Sequence, residues 1–231
     1  MGLDWNPGNK SKSGFEAEHE AIVRRIIDKD YIDEEPSSGG LFGFFAKSKP
    51  DDRPTKESLL QRFGEISSSA FETLDAPRIG FDEAANRWAR TYHEENRIDE
   101  PLEEWLESVK DLYIVWLVGD CDGVPTYTNG APGGYVEPFS FRAQFLVDCT
   151  QIIGEELLEA SYETKTNAQT LAFGKALLQK AADYARQHDL NPDSLETEDP
   201  DSEEFKLDVV LSAGRWCVFW AEKGHFLEAY W

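Results

Sequence analysis

The sequence predicts a mainly α protein: a helical bundle in the C-terminal two thirds, with a loop-rich, partly helical N-terminal third. Three observations support this. Apolar residues recur at helical spacing in long stretches, most clearly in "NAQTLAFGKALLQKAADYARQH" (167–188). No fixed-period repeat is visible, which argues against a solenoid. A 231-residue chain with 40% hydrophobic and 13% aromatic residues can bury a substantial core and is not disordered. We expect one domain over 1–231, with residues 1–55 as the loop-rich part holding one helix and residues 56–231 as the helical core.

Along the chain, "WNPGNKSKSG" (5–14) is turn-rich. A helical stripe follows, made of Phe15, His19, Ile22, Val23, Ile26 and Ile27, with Ser13 as its cap. Pro36–Pro54 reads as a long loop whose apolar patch Leu41–Ala46 either docks on the core or marks a contact site. Helices are expected at about Lys56–Glu65 and Asp82–Asn96. Another opens at Pro101 and carries Leu102, Trp105, Leu106, Val109 and Leu112. Its periodicity runs on into "LYIVWLV" (Leu112–Val118), read here as a continuation of the helix, with a buried strand as the alternative. Three more helices are expected after a Gly/Pro-rich loop. The first covers Phe139–Glu163 and bends at Gly154. The second covers Asn167–His188, with Leu171, Leu177, Leu178, Ala181, Ala182 and Ala185 on its packing face. The third covers Glu203–Lys223 and stops at Gly224.

Charge is the extreme feature. With 45 acidic and 23 basic residues the formal net charge is −22, which disfavours nucleic-acid and anionic-membrane partners and suits a basic protein partner. The stretch from Asp189 to Glu204 holds eight carboxylates and no Lys or Arg. No apolar run reaches membrane-span length, and the opening residues lack a signal-peptide core. The three cysteines, Cys121, Cys149 and Cys217, are too widely spaced for a zinc site or a disulfide framework. A reduced, cytoplasmic protein without a cofactor is expected.

The loop "GDCDGVPTYTNGAPGGY" (119–135) is the most unusual local sequence. Placing Gly123 at the invariant glycine of a calcium loop puts Val118 and Asn129 where oxygen-rich acidic ligands belong, so that type of site is excluded. The phrase "YIVWLVGDCDGVP" resembles the first motif of the haloacid-dehalogenase-like phosphatases, an apolar strand ending in Asp-x-Asp-Gly. The resemblance implies Asp120 as nucleophile, Asp122 as acid/base and magnesium as cofactor. It covers about a dozen residues, and the family's later strand-borne motifs have no good counterpart. Otherwise the loop is a connection, and Tyr127 and Tyr135 suit it to contact. Arg142 is placed to pair with a nearby carboxylate, Asp120 or Asp122, or to hold an anionic ligand. Glu16-x-x-His19 and Glu222-x-x-His225 have di-iron spacing but lack the remaining ligands, and Cys121 between two aspartates is not activated.

Two functions follow as expectations. The first is an acidic interaction module, inhibitor- or immunity-like, contacting its partner through Asp120, Asp122, Tyr127, Tyr135 and Arg142, with the terminal Tyr230–Trp231 pair as a contact candidate if exposed. The alternative is a magnesium-dependent phosphohydrolase built on Asp120 and Asp122.

Overall fold

The computed structural model describes residues 2–33, 53–118, 136–196 and 199–231. Mainly α is what is observed, with a small antiparallel sheet that the sequence did not predict. The helices are α1 (Glu16–Ile27), α2 (Lys56–Ile66), α3 (Ala70–Thr73), α4 (Glu83–Glu95), α5 (Leu102–Ser108), α6 (Thr150–Ile153), α7 (Glu155–Ala160), α8 (Asn167–Gln187) and α9 (Glu203–Glu222). The strands are β1 (Asp4–Gly8), β2 (Lys10–Ser11), β3 (Ser67–Ser68), β4 (Val136–Glu137), β5 (Ser140–Phe141) and β6 (Phe226–Tyr230). Four of them form a sheet in the order β4-β5-β1-β6, and β2 pairs with β3.

The first correction concerns the N-terminus. The stretch expected to be turns is β1, an interior strand that pairs with β6 from Asp4↔Tyr230 to Gly8↔Phe226 and with β5 at Trp5↔Phe141. Pro7 is tolerated because it faces Leu227, whose N–H points away from β1 to the Lys165 carbonyl. Pro7 therefore sits at a non-hydrogen-bonded position towards β6, and its missing N–H falls beyond the short reach of β5.

Trp5 is fully buried and meets Phe141, Phe173 and Trp216 with ring centroids 5.1, 5.7 and 6.1 Å away. Its indole N–H donates to Ser161 O at 2.8 Å, and that of Trp220 donates to Pro138 O at 2.6 Å. Helices α8 and α9 close this core. They approach through Gly174 and Gly214, where a Cβ on either glycine would lie 3.0 Å from the other's carbonyl oxygen. The helix starts are well specified. Thr166 and Gln169 form a capping box on α8, and the Ser202 hydroxyl accepts from Phe205 N–H on α9, whose first turn carries Glu203 and Glu204. The packing face of α8 is rotated from expectation: Leu177, Ala181 and Ala185 are buried with Phe173, Gly174 and Tyr184, while Ala182 is exposed.

Three further corrections follow. Leu112–Val118 does not prolong a helix. Helix α5 ends at Ser108, and Asp111 takes a left-handed φ of 74° while pairing with Arg78 at 2.5 Å. The run then makes a single bridge, Tyr113 to Arg78, and a 3-10 turn at Val115–Leu117. Phe139–Glu163 is not one helix either. It is divided into β5, a 3-10 segment at Ala143–Cys149, α6 and α7, with Gly154 at φ 80° separating the last two. Ser13 does not cap α1; the Glu16 carboxylate accepts from Gly14 N–H instead. The patch Leu41–Ala46 lies outside the described residues.

Candidate functional site

Strand β6 alternates. Leu227 is fully buried on the face that carries Trp5, whereas Phe226, Glu228 and Tyr230 line the opposite side. Helices α1 and α2 cover that side only at its Phe226 end, where Phe63 and His19 lie 6.2 and 6.1 Å from the Phe226 ring. Beyond Phe63 a furrow remains between the two helices and β6. Three hollows adjoin there: one of about 230 Å³ between α1, the start of α8 and Gly224, one of about 210 Å³ lined by α1, α2 and β6, and one of about 560 Å³ beside α2 and Asp33. The first two share Val23 and Phe226, and the last two share Leu60. Leu60 is 47% exposed, Tyr230 is 52% exposed and the terminal Trp231 is 76% exposed.

Charge around the furrow is one-sided. Among the described residues its lining includes five carboxylates, Glu16, Glu20, Asp33, Glu57 and Glu228, against one cation, Lys56. Glu20 is paired with Arg24 at 2.6 Å, and Glu228 accepts from the Tyr230 hydroxyl at 2.6 Å. That bond to the carboxylate favours the protonated phenol and pushes the Tyr230 hydroxyl up to about 12.

Two histidines fix the adjacent turn. His225 is fully buried; its Nδ1–H donates to Gly8 O at 2.8 Å, and its Nε2 lies 2.9 Å from the Thr73 hydroxyl, which donates to it. His19 Nε2–H donates to the next carbonyl, Asn9 O, at 2.8 Å. Burial disfavours the imidazolium at both, and it brings His225 down to about 4. Glu16-x-x-His19 is thus used for holding backbone: Glu16 caps Gly14 N–H and His19 ties Asn9. Among the described residues no group of three or more His, Cys, Asp or Glu side chains is arranged to hold a metal ion.

Other reactive groups are inert by their surroundings. Cys149 and Cys217 are buried, and desolvation raises both thiols, Cys149 to about 12. The buried Lys165 ammonium donates to Ala160 O and to Glu163 O, lying 4.6 Å over the Phe173 ring, so it closes the end of α7. Desolvation lowers its pKa.

Of the residues singled out from sequence, Asp120, Asp122, Tyr127 and Tyr135 lie outside the described residues, as does Cys121. Arg142 places its Nε 2.6 Å from Asp4 Oδ1, an ion-pair contact between β1 and the turn after β5. Among the described residues no helix is long and apolar enough to cross a membrane. The furrow was not foreseen, although the alternation Phe226, Glu228, Tyr230 is a period-two signal in plain view. No family model matches the chain, and no curated protein or solved structure matches it either.

Proposed function

We propose that this chain is an acidic protein-interaction module that binds a basic partner protein, as an inhibitor or immunity-like protein does. The observation that carries this reading is that its negative charge is not neutralised from within. In the stretch before α9, Asp189, Asp193, Glu196, Asp199 and Asp201 are exposed. The contact that flanks this stretch is between His188 Nδ1 and Glu203 Oε2, at 3.1 Å. Other ion pairs, such as Arg186–Asp183 and Lys110–Glu107, are local helix-turn contacts that leave the excess of carboxylate untouched. Unscreened carboxylate of this density steers a cationic partner and sets its on-rate.

The phosphohydrolase reading through Asp120, Asp122 and magnesium gains nothing from the run before it, since a 3-10 turn stands where the motif calls for a strand. Aryl-phosphate hydrolysis with magnesium that is lost in Asp120→Asn would move the protein to that class.

The test of the interaction reading is titration with a 16-residue oligolysine at 20 and 200 mM salt. Saturable binding is expected, and it should weaken several-fold at higher salt and in the variant Asp193→Asn, Glu196→Gln, Asp199→Asn, Asp201→Asn. Absence of binding at 20 mM salt would contradict it.

A further inference from the structure

We infer that the furrow between α1, α2 and β6 is the docking site for a partner segment that combines an aliphatic or aromatic anchor with flanking Lys or Arg residues. This rests on the reading that the chain binds a basic partner and adds where the partner sits and what it presents.

The floor of the furrow supplies the apolar half of the recognition. Ile26, Ile27, Leu60, Phe63 and Tyr230 line the middle hollow, and Leu60 and Tyr230 keep about half of their surface in solvent. Helix α1 and strand β6 wall the hollow on either side, so a side chain entering it loses water on several faces. Burying an aliphatic or aromatic anchor there is favourable in proportion to the apolar area removed from water. Ile26 and Phe63 also pack on the smaller cluster of Ile22, Leu59 and Ile66, whereas Leu227 and Trp5 occupy the other face of the sheet and are closed off.

The rim supplies the charged half. Glu57 and Asp33 stand at the α2 end, and Glu16 and Glu20 stand at the other end beyond Val23. Lys56 is the one cation among the described lining residues, and its ammonium is turned over the Tyr31 ring at 5.7 Å. Carboxylates at both ends of an apolar trough match a segment whose anchor is flanked by cations on both sides. An acidic segment would meet repulsion at either end, and a purely apolar one would gain nothing from Asp33 and Glu57. Tyr230 fits the role of a contact residue: its ring faces the trough and its hydroxyl is fixed by Glu228, so little side-chain freedom is lost on binding.

The experiment uses the full chain and two 16-residue peptides, an oligolysine and a peptide in which leucines are spaced among the lysines. The wild type is expected to bind the Leu/Lys peptide at least tenfold more tightly than oligolysine at 200 mM salt. The pair Leu60→Ala, Tyr230→Ala should remove that preference while oligolysine binding at 20 mM salt persists. Glu57→Lys should weaken both peptides and leave the melting temperature unchanged. A variant with unaltered melting temperature that retains the tenfold preference overturns the furrow as the site, while the basic-partner reading stands. If neither peptide binds the wild type at 20 mM salt, the underlying reading fails as well. Two further results also overturn the proposal. In one, the wild type is a dimer that must dissociate before the peptide binds, which makes a second copy the occupant. In the other, the furrow amides become exchangeable only when residues 34–52 are replaced by a glycine–serine linker, which makes the chain's own segment the occupant.

Discussion

The two faces of the β1–β6 ribbon are built from alternate residues of the same two strands, yet they end in opposite conditions. On one face Trp5 and Leu227 are sealed under α8 and α9 with Phe141, Phe173 and Trp216. On the other, Phe226 is covered by α1 and α2, but Tyr230 and the neighbouring Leu60 remain half open to solvent. Completeness of cover is what separates them. Two long helices with glycines at their crossing can close on a ribbon, whereas α1 and α2 pack mainly through Ile22, Leu59 and Ile66 and leave a trough beside the ribbon. The sealed face holds the fold, and the open face is available for contact.

Substitutions on the two faces should therefore separate stability from binding. The largest effect is expected from Trp5→Ala, which empties the centre of the sealed face. It should cost about 3–5 kcal/mol in urea unfolding. A loss under about 1 kcal/mol would mean that the aromatic cluster is not the organising core.

Acid should be the next strongest lever. The folded-state pKa of His225 lies near 4, below the 6.5 of an unperturbed imidazole. Its contribution is therefore complete above about pH 6.5 and is lost as pH falls through the window from 6.5 to 4. The loss reaches roughly 1.4 kcal/mol per pH unit, about 3 kcal/mol in all. His19, lowered by the same cause, acts in the same direction. Unfolding midpoints between pH 7 and 4, in the wild type and in His225→Gln, would show the slope and its flattening.

Gly214→Ala probes the crossing that seals the core. The new methyl group would lie 2.7 Å from Leu178 Cγ and 3.0 Å from the Gly174 carbonyl. A loss of about 1–3 kcal/mol is expected, measured as a fall in urea midpoint. The smallest effect has the opposite sign. Ser212 Oγ and Trp216 Nε1 are buried one helical turn apart with no hydrogen-bond partner among the described residues. Ser212→Ala removes one unsatisfied group from the sealed face and should raise stability by about 1 kcal/mol.

How much of this was legible in the sequence depended on how local the determinants were. Helices α8 and α9 were readable because their periodicity and, for α9, the stop at Gly224 (φ 92°) lie within each segment; the caps the structure shows, Thr166 with Gln169 and Ser202, are equally local. Strand β1 was not, since "WNPG" holds three residues that signal turns and its partner β6 lies more than 200 positions away. The end of α5 was missed because the left-handed turn at Asp111 is held by Arg78, a contact between residues 33 positions apart. For the furrow, the alternation in β6 was visible, but the exposure of Leu60 depends on where α2 lies against α1. No single segment contains that information.

The division of labour between the faces is tested most directly by urea unfolding of two variants beside the wild type. One carries Leu60→Ala and Tyr230→Ala on the open face, and the other carries Trp5→Ala on the sealed face. The open-face pair should unfold within about 1 kcal/mol of the wild type, as exposed substitutions do, while Trp5→Ala falls by several times that. If the open-face pair loses as much as Trp5→Ala, the furrow is part of the core and not a surface kept for a partner.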